Sequence, residues 1–345
     1  MSAGGRLFAA MDHLSCPGCR LSASNGSTAP QESPPSPSTP SPPPLPPEAL
    51  AFICASGVAC LLSNAILAAA LIRAHTGGPQ KASRRRLLAL LLNLALADLL
   101  SAALLGPLEA LALSKEGAWD IGALPCRLFL GGDVLMCSGA AYALAALALH
   151  AAHAWAPGPF VGLSWMLSAS LSVPAFALAD VVLLPSASGL EPRPHCSLPL
   201  ALGPAGGPLL LLRLPGAALG FALPTLVILV CNVQAVVAYV RRGHEAAEAS
   251  DRDESLKLCF ALSLSHVICS FPRFAYALLI LTEQTDDFLV PPLTSGPAGG
   301  PPAFALAALH YAASALRPAL VVAASAPLRR ALLPRSRTST SPPQR

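Results

Sequence analysis

Seven long apolar runs, separated by short polar stretches, dominate the chain; they lie near 49–74, 86–113, 123–154, 158–184, 207–241, 253–282 and 302–325. A helix needs about 20 apolar residues to cross a bilayer, and each run is that long. In lipid, backbone N–H and C=O groups must find partners within the segment, so each run is expected to be helical. The prolines Pro107, Pro174, Pro224, Pro272 and Pro318 fall inside runs. They break helices in water but are tolerated as kinks in a bundle. The fifth run is the least defined at its start, because Gly203–Pro208 also reads as loop. The expected fold class is an all-α membrane protein, a seven-transmembrane-helix bundle over 49–325.

Composition agrees. The 345 residues are 54% apolar and 12% charged, and a soluble domain of this size carries roughly twice that charged fraction. A net charge of +4 does not suggest a nucleic-acid footprint. The first 16 residues hold only a short LFAAM stretch in place of a signal-peptide core, so the first run is expected to act as its own insertion signal. Lys and Arg divide 14 to 5 between the two sides. The richer side holds the loop with Arg84, Arg85 and Arg86, the loop with Arg241 and Arg242, and the C-terminal tail. The positive-inside rule then puts the N-terminus outside and the C-terminus in the cytosol.

The flanking segments read as tails. Residues 1–48 form a Ser/Pro-rich, disordered outer tail. Within it, Asn25-Gly26-Ser27 is a glycosylation sequon, and Cys16 and Cys19 are either disulfide-paired or idle, with too few ligands for a metal site. No phosphate loop, HExxH or nucleophile–base set is present, so neither an enzyme nor a cofactor or metal is expected.

Several landmarks recur at set depths. They are Asn64 in Leu62-Ser63-Asn64, Asp98 in NLALADLL, Cys126 at the start of the third run, and Cys196 between the fourth and fifth. Trp165, Pro224, Cys269-Ser270-Phe271-Pro272 and the seventh-run segment HYAASALRPALVVAASAPLRRAL follow. In this order the chain resembles the rhodopsin-like family of G-protein-coupled receptors from about residue 50 to 333. The resemblance implies a Cys126–Cys196 disulfide, a short amphipathic eighth helix over 326–333 and a cytoplasmic tail over 334–345. It also implies a plasma-membrane receptor with an extracellular ligand, a heterotrimeric G-protein partner, and an arrestin or a receptor dimer partner as further partners.

Departures from the family pattern cluster on the inner side. His150-Ala151-Ala152 stands where the family has Asp-Arg-Tyr, so His150 and Ala151, with Arg241 and Arg242, are the expected G-protein-facing positions. Ser270, Val321 and Asn232 replace a Trp and two Tyr that move during activation in the family. These losses keep a second reading open, a non-signalling decoy or partner subunit for another receptor. In the seventh run Arg317 takes the place of an Asn that faces Asp98 in the family. A buried, unpaired Arg in a bundle is costly. Arg317 therefore either pairs with Asp98, in a core polar group with Asn64, or snorkels toward the cytosol.

On the outer side, Asp133 stands where the family holds the acid that binds amines or basic peptide groups, and Tyr311 matches the tyrosine that hydrogen-bonds that acid. Arg273 faces the same pocket in the family pattern, so Asp133 either pairs with Arg273 or receives a cationic ligand. Phe274 supplies an aromatic wall, and Arg213 is placed to meet an anionic group. The ligand is expected to be an amine or peptide-like.

Overall fold

The computed structural model describes residues 47–76, 81–115, 117–153, 157–184, 192–198, 216–242, 249–283, 301–325 and 328–329. In chain order the elements are α1 (Pro47–Thr76), α2 (Ala82–Leu104), α3 (Gly106–Ser114), α4 (Ala123–His153), α5 (Pro157–Leu178), β1 (Asp180–Leu184) and β2 (Arg193–Ser197), then a π-helical turn (Ala218–Ala222) leading into α6 (Leu223–Arg242), α7 (Ala249–Glu283) and α8 (Pro301–Ala324). Helices α2 and α3 form one span, Ala82–Ser114. Seven helices are thus long and apolar enough to cross a membrane, and the chain is a multi-pass membrane protein.

The surface carries the apolar residues that a soluble protein would hide. On α6 alone Leu226, Leu229, Val233 and Val240 are exposed, as a lipid-facing helix requires. Several polar and charged side chains, including Asn64, Asp98, His266 and Arg317, are instead buried. Helix α4 lies at the centre, packed against α2, α5, α6 and α7, while α1 packs on α2 and α8. Small residues let neighbours approach α4 closely. A Cβ on Gly131 would lie 2.4 Å from the Phe176 ring, and one on Gly132 would lie 2.8 Å from Leu105. The glycine pair therefore sets the spacing of α4 from α5 and α2.

Proline shapes three elements in ways that affect the interior. The helix of the second span is interrupted at Leu105 and restarts as α3 with Pro107 in its first turn, where a missing N–H costs nothing. In the π-helical turn the Leu219 carbonyl would pair with the N–H five residues on, but that residue is Pro224. The Tyr142 hydroxyl of α4 donates to this carbonyl instead, at 2.6 Å. Pro272 lies inside α7, one residue before Arg273.

The bundle is helical as expected, but the end of the fourth apolar run is corrected to a β-strand. The fourth apolar run was expected to stay helical to 184, but α5 ends at Leu178 and residues Asp180–Leu184 form β1. The β-branched Val181-Val182 pair suits a strand, and β1 finds an antiparallel partner in β2, with Val181 opposite Cys196. The Cys126–Cys196 disulfide then ties β2 to the first turn of α4. Two further bonds hold the hairpin down, from Arg127 Nε to the Ala179 carbonyl at 3.0 Å and from the Trp119 N–H to the Pro194 carbonyl at 2.7 Å. Trp119 stacks on Phe129 with ring centroids 5.3 Å apart. The chain reaches Trp119 through Gly117, whose φ of 81° is easily adopted only by glycine. Lys115 hydrogen-bonds Asp120 beside this turn and holds that carboxyl below the usual range. Burial pushes the His195 imidazole pKa down, while a hydrogen bond with the Gly117 backbone opposes the shift.

Of the expected amphipathic segment 326–333, only Leu328 and Arg329 are among the described residues. Leu328 is buried, and Arg329 donates to the Ala323 carbonyl at the end of α8.

Candidate functional site

The interior holds a cavity of about 340 Å³ between α2, α4, α5, α6, α7 and α8. Its wall is mostly apolar, with Met136, Leu171, Phe221 and Phe274 among the lining residues. Phe274 stacks on Phe221 with centroids 4.6 Å apart, so it serves as the aromatic wall expected from the sequence. Two ion pairs also line the space.

The deeper pair is Asp98–Arg317. Nη1 of Arg317 lies 2.5 Å from Asp98 Oδ1, with the side chains 6% and 3% exposed. Of the two alternatives for Arg317, the structure therefore has the pair and not the snorkel. The Ser314 hydroxyl donates to the same oxygen at 3.0 Å. Asn64 joins through the backbone, its Nδ2 donating to the carbonyls of Cys60 at 2.9 Å and Ser314 at 3.0 Å. Three spans are thus bound together around one carboxylate. The local reason is spacing: in α8, Ser314 and Arg317 are three residues apart and share a face.

The shallower pair is Asp133–Arg273, with Nη2 of Arg273 2.5 Å from Asp133 Oδ2 and the side chains 23% and 22% exposed. It joins α4 to α7 just after the Pro272 kink. The Cys137 thiol, one helical turn along α4, donates weakly to Asp133 Oδ1 at 3.6 Å.

The structure corrects the partner expected for Tyr311. Its hydroxyl donates to Glu109 Oε2 at 2.9 Å and not to Asp133. Glu109 lies in α3, just past the turn residue Leu105, and Gly106 of the same helix lies against the Tyr311 hydroxyl. Sequence reading missed Glu109; the available signal was a lone carboxylate inside an apolar run, two residues after a proline. Glu109 lies within electrostatic range of both Asp133 and Arg273.

Two histidines extend the polar lining. Ser270 pairs with His266 Nδ1 at 3.2 Å, and Ser101 with His310 Nε2 at 3.3 Å. Outside the cavity, the Trp165 indole donates to Asn93 at 2.8 Å and ties α5 to α2.

At the opposite end of the bundle, His150 departs from its expected position at a partner-facing surface. It is buried, and Ala151 is half-buried. Arg241 is exposed near the end of α6, which closes with Arg242. Val321 is buried, and Asn232 accepts a weak bond from Cys259 at 3.3 Å. Arg213, Asn25, Cys16, Cys19 and the tail 334–345 lie outside the described residues. Gly220 makes only ordinary packing contacts with Ser138 and Leu171.

Compared with known proteins, the chain matches no family model and no curated protein.

Proposed function

We propose that the chain is an atypical rhodopsin-like G-protein-coupled receptor of the plasma membrane, with its N-terminus outside. It senses an extracellular amine or peptide-like ligand and signals to heterotrimeric G proteins. The observation that carries this reading is the cavity between the helices, apolar in its wall and lined by the Asp133–Arg273 pair. Apolar pockets with a few convergent polar groups are where small ligands bind. Glu109, within electrostatic range of that pair, adds a second acidic side chain there, which favours a ligand with a cationic group. In this reading Asn25 is a glycosylation site, residues 326–333 form an amphipathic helix at the membrane surface, and Ser336–Ser341 offers phosphorylation sites for an arrestin-like partner.

A second reading has its own support. The buried His150 and the small Ala151 leave no Arg at the position the family uses to meet its G protein. A decoy or partner subunit needs none. A G-protein-activation panel on the natural chain and on His150→Asp/Ala151→Arg separates the two. Basal signal from the natural form supports the receptor; silence from both at equal surface expression supports the decoy or partner subunit.

A further inference from the structure

The deep end of the cavity contains hydrogen-bonding capacity that the fold does not use. Asp98 Oδ2, Arg317 Nε and His266 Nε2 are buried atoms with no hydrogen-bond partner among the described residues. Their side chains belong to residues 3%, 5% and 3% exposed, and all three residues line the cavity. A buried polar atom without a partner is costly, so three that line the same cavity call for an occupant. The first is an acceptor, and the second is an N–H donor.

Charge narrows the occupant. Asp98 and Arg317 already neutralise each other at 2.5 Å. An anion on the floor competes with Asp98 for Arg317, and a cation competes with Arg317 for Asp98; either leaves one buried charge uncompensated. A neutral group that accepts from Arg317 Nε–H and donates to Asp98 Oδ2 satisfies both and disturbs neither. Length narrows it further. Asp133 and Ala140 both line the cavity from α4, seven residues apart in sequence, which is about 10 Å along a helix. Between those levels the lining is apolar, from Met136 on α4 and Leu171 on α5 to Phe221 beyond.

We propose that this floor is a subsite for a primary carboxamide, carried on an apolar body about 10 Å long that reaches up to the Asp133–Arg273 level. The carboxamide oxygen accepts from Arg317, one N–H donates to Asp98, and His266 takes the remaining place beside them. An amidated peptide end is one natural carrier of such a group. The inference rests on reading the cavity as a ligand site, and not on coupling to a G protein.

The test titrates the purified full-length chain in lipid nanodiscs with four probes of one length: phenylbutyramide, phenylbutyrate, phenylbutylamine and the N,N-dimethyl amide. Calorimetry and melting curves report binding. The primary amide is expected to bind about tenfold or more tighter than each of the others, since the acid and amine unbalance the floor and the dimethyl amide lacks the donor. The preference is expected to vanish in Asp98→Leu/Arg317→Met, which replaces the buried pair with apolar side chains and leaves no unpaired buried charge. In His266→Phe it is expected to fall several-fold. Equal binding of the four probes overturns the proposal and leaves water alone on the floor. Amide preference that persists in the double variant overturns it too. Should the double variant not fold, the probe series on the natural chain and on His266→Phe still decides. Selective amide binding without G-protein activation counts against the signalling reading alone, and activation without amide preference counts against the subsite alone.

Discussion

The two ion pairs in the cavity have the same chemistry and the same 2.5 Å separation, yet they sit in different surroundings. Asp98–Arg317 is 3% and 6% exposed, whereas Asp133–Arg273 keeps 22% and 23% of its side chains open. Taking a charge out of water costs several kcal/mol per ion, and an apolar interior strengthens the attraction that offsets this cost. The deep pair has little access to solvent, so neither partner is replaceable alone. The shallow pair faces the cavity, and water or a ligand can take over either partner. It also has a second acidic side chain within electrostatic range, Glu109. One pair thus acts as a structural joint of three spans, and the other as an exchangeable contact between α4 and α7.

Breaking the deep pair from one side tests this contrast most strongly. Arg317→Met alone is expected to destabilise the bundle by about 3–5 kcal/mol, because Asp98 is left buried without its cation. Adding Asp98→Leu is expected to restore most of the loss, as urea or thermal unfolding in nanodiscs will show. The equivalent change in the shallow pair, Asp133→Asn, is expected to cost only about 1 kcal/mol, since a partly solvated guanidinium keeps water as a partner. Equal losses in the two singles refute the distinction. Glu109→Gln sharpens it. Stability is expected to hold within about 0.5 kcal/mol, because Tyr311 keeps an acceptor, while binding of phenethylamine weakens about tenfold, or 1.4 kcal/mol. Unchanged amine binding there removes Glu109 from the ligand site.

The smallest effect lies at the rim. Burial lowers the His195 pKa in the fold. The unfolded hairpin therefore binds more protons than the folded one as pH falls below about 6.5, the ordinary histidine value. The neutral imidazole's contribution is complete above that pH and is lost as pH drops through the folded value. Backbone amides of β1 and β2 are expected to exchange several-fold faster at pH 5 than at pH 7.5, after correction for intrinsic rates, while those of α4 do not. Equal acceleration in both regions contradicts a local effect.

The sequence by itself determined the number and approximate limits of the membrane-crossing helices, because apolarity over about 20 residues is a property of one segment in lipid. Through the family resemblance it pointed to Asp98 with Arg317 and Asp133 with Arg273, each as one of two alternatives, and both pairs form. Only the tertiary structure decided the rest. The hairpin over Asp180–Ser197 forms because β1 meets a partner strand and a disulfide 70 residues apart in sequence, which overrides the apolar run that led to it. Tyr311 bonds Glu109 and not Asp133, a choice set by how the second and seventh spans face each other and not by either segment alone. His150 is buried, which depends on how neighbouring helices pack around α4. The unpartnered atoms on the cavity floor were equally invisible in the sequence, since an unmet hydrogen bond is defined only once every neighbouring helix has its final rotation.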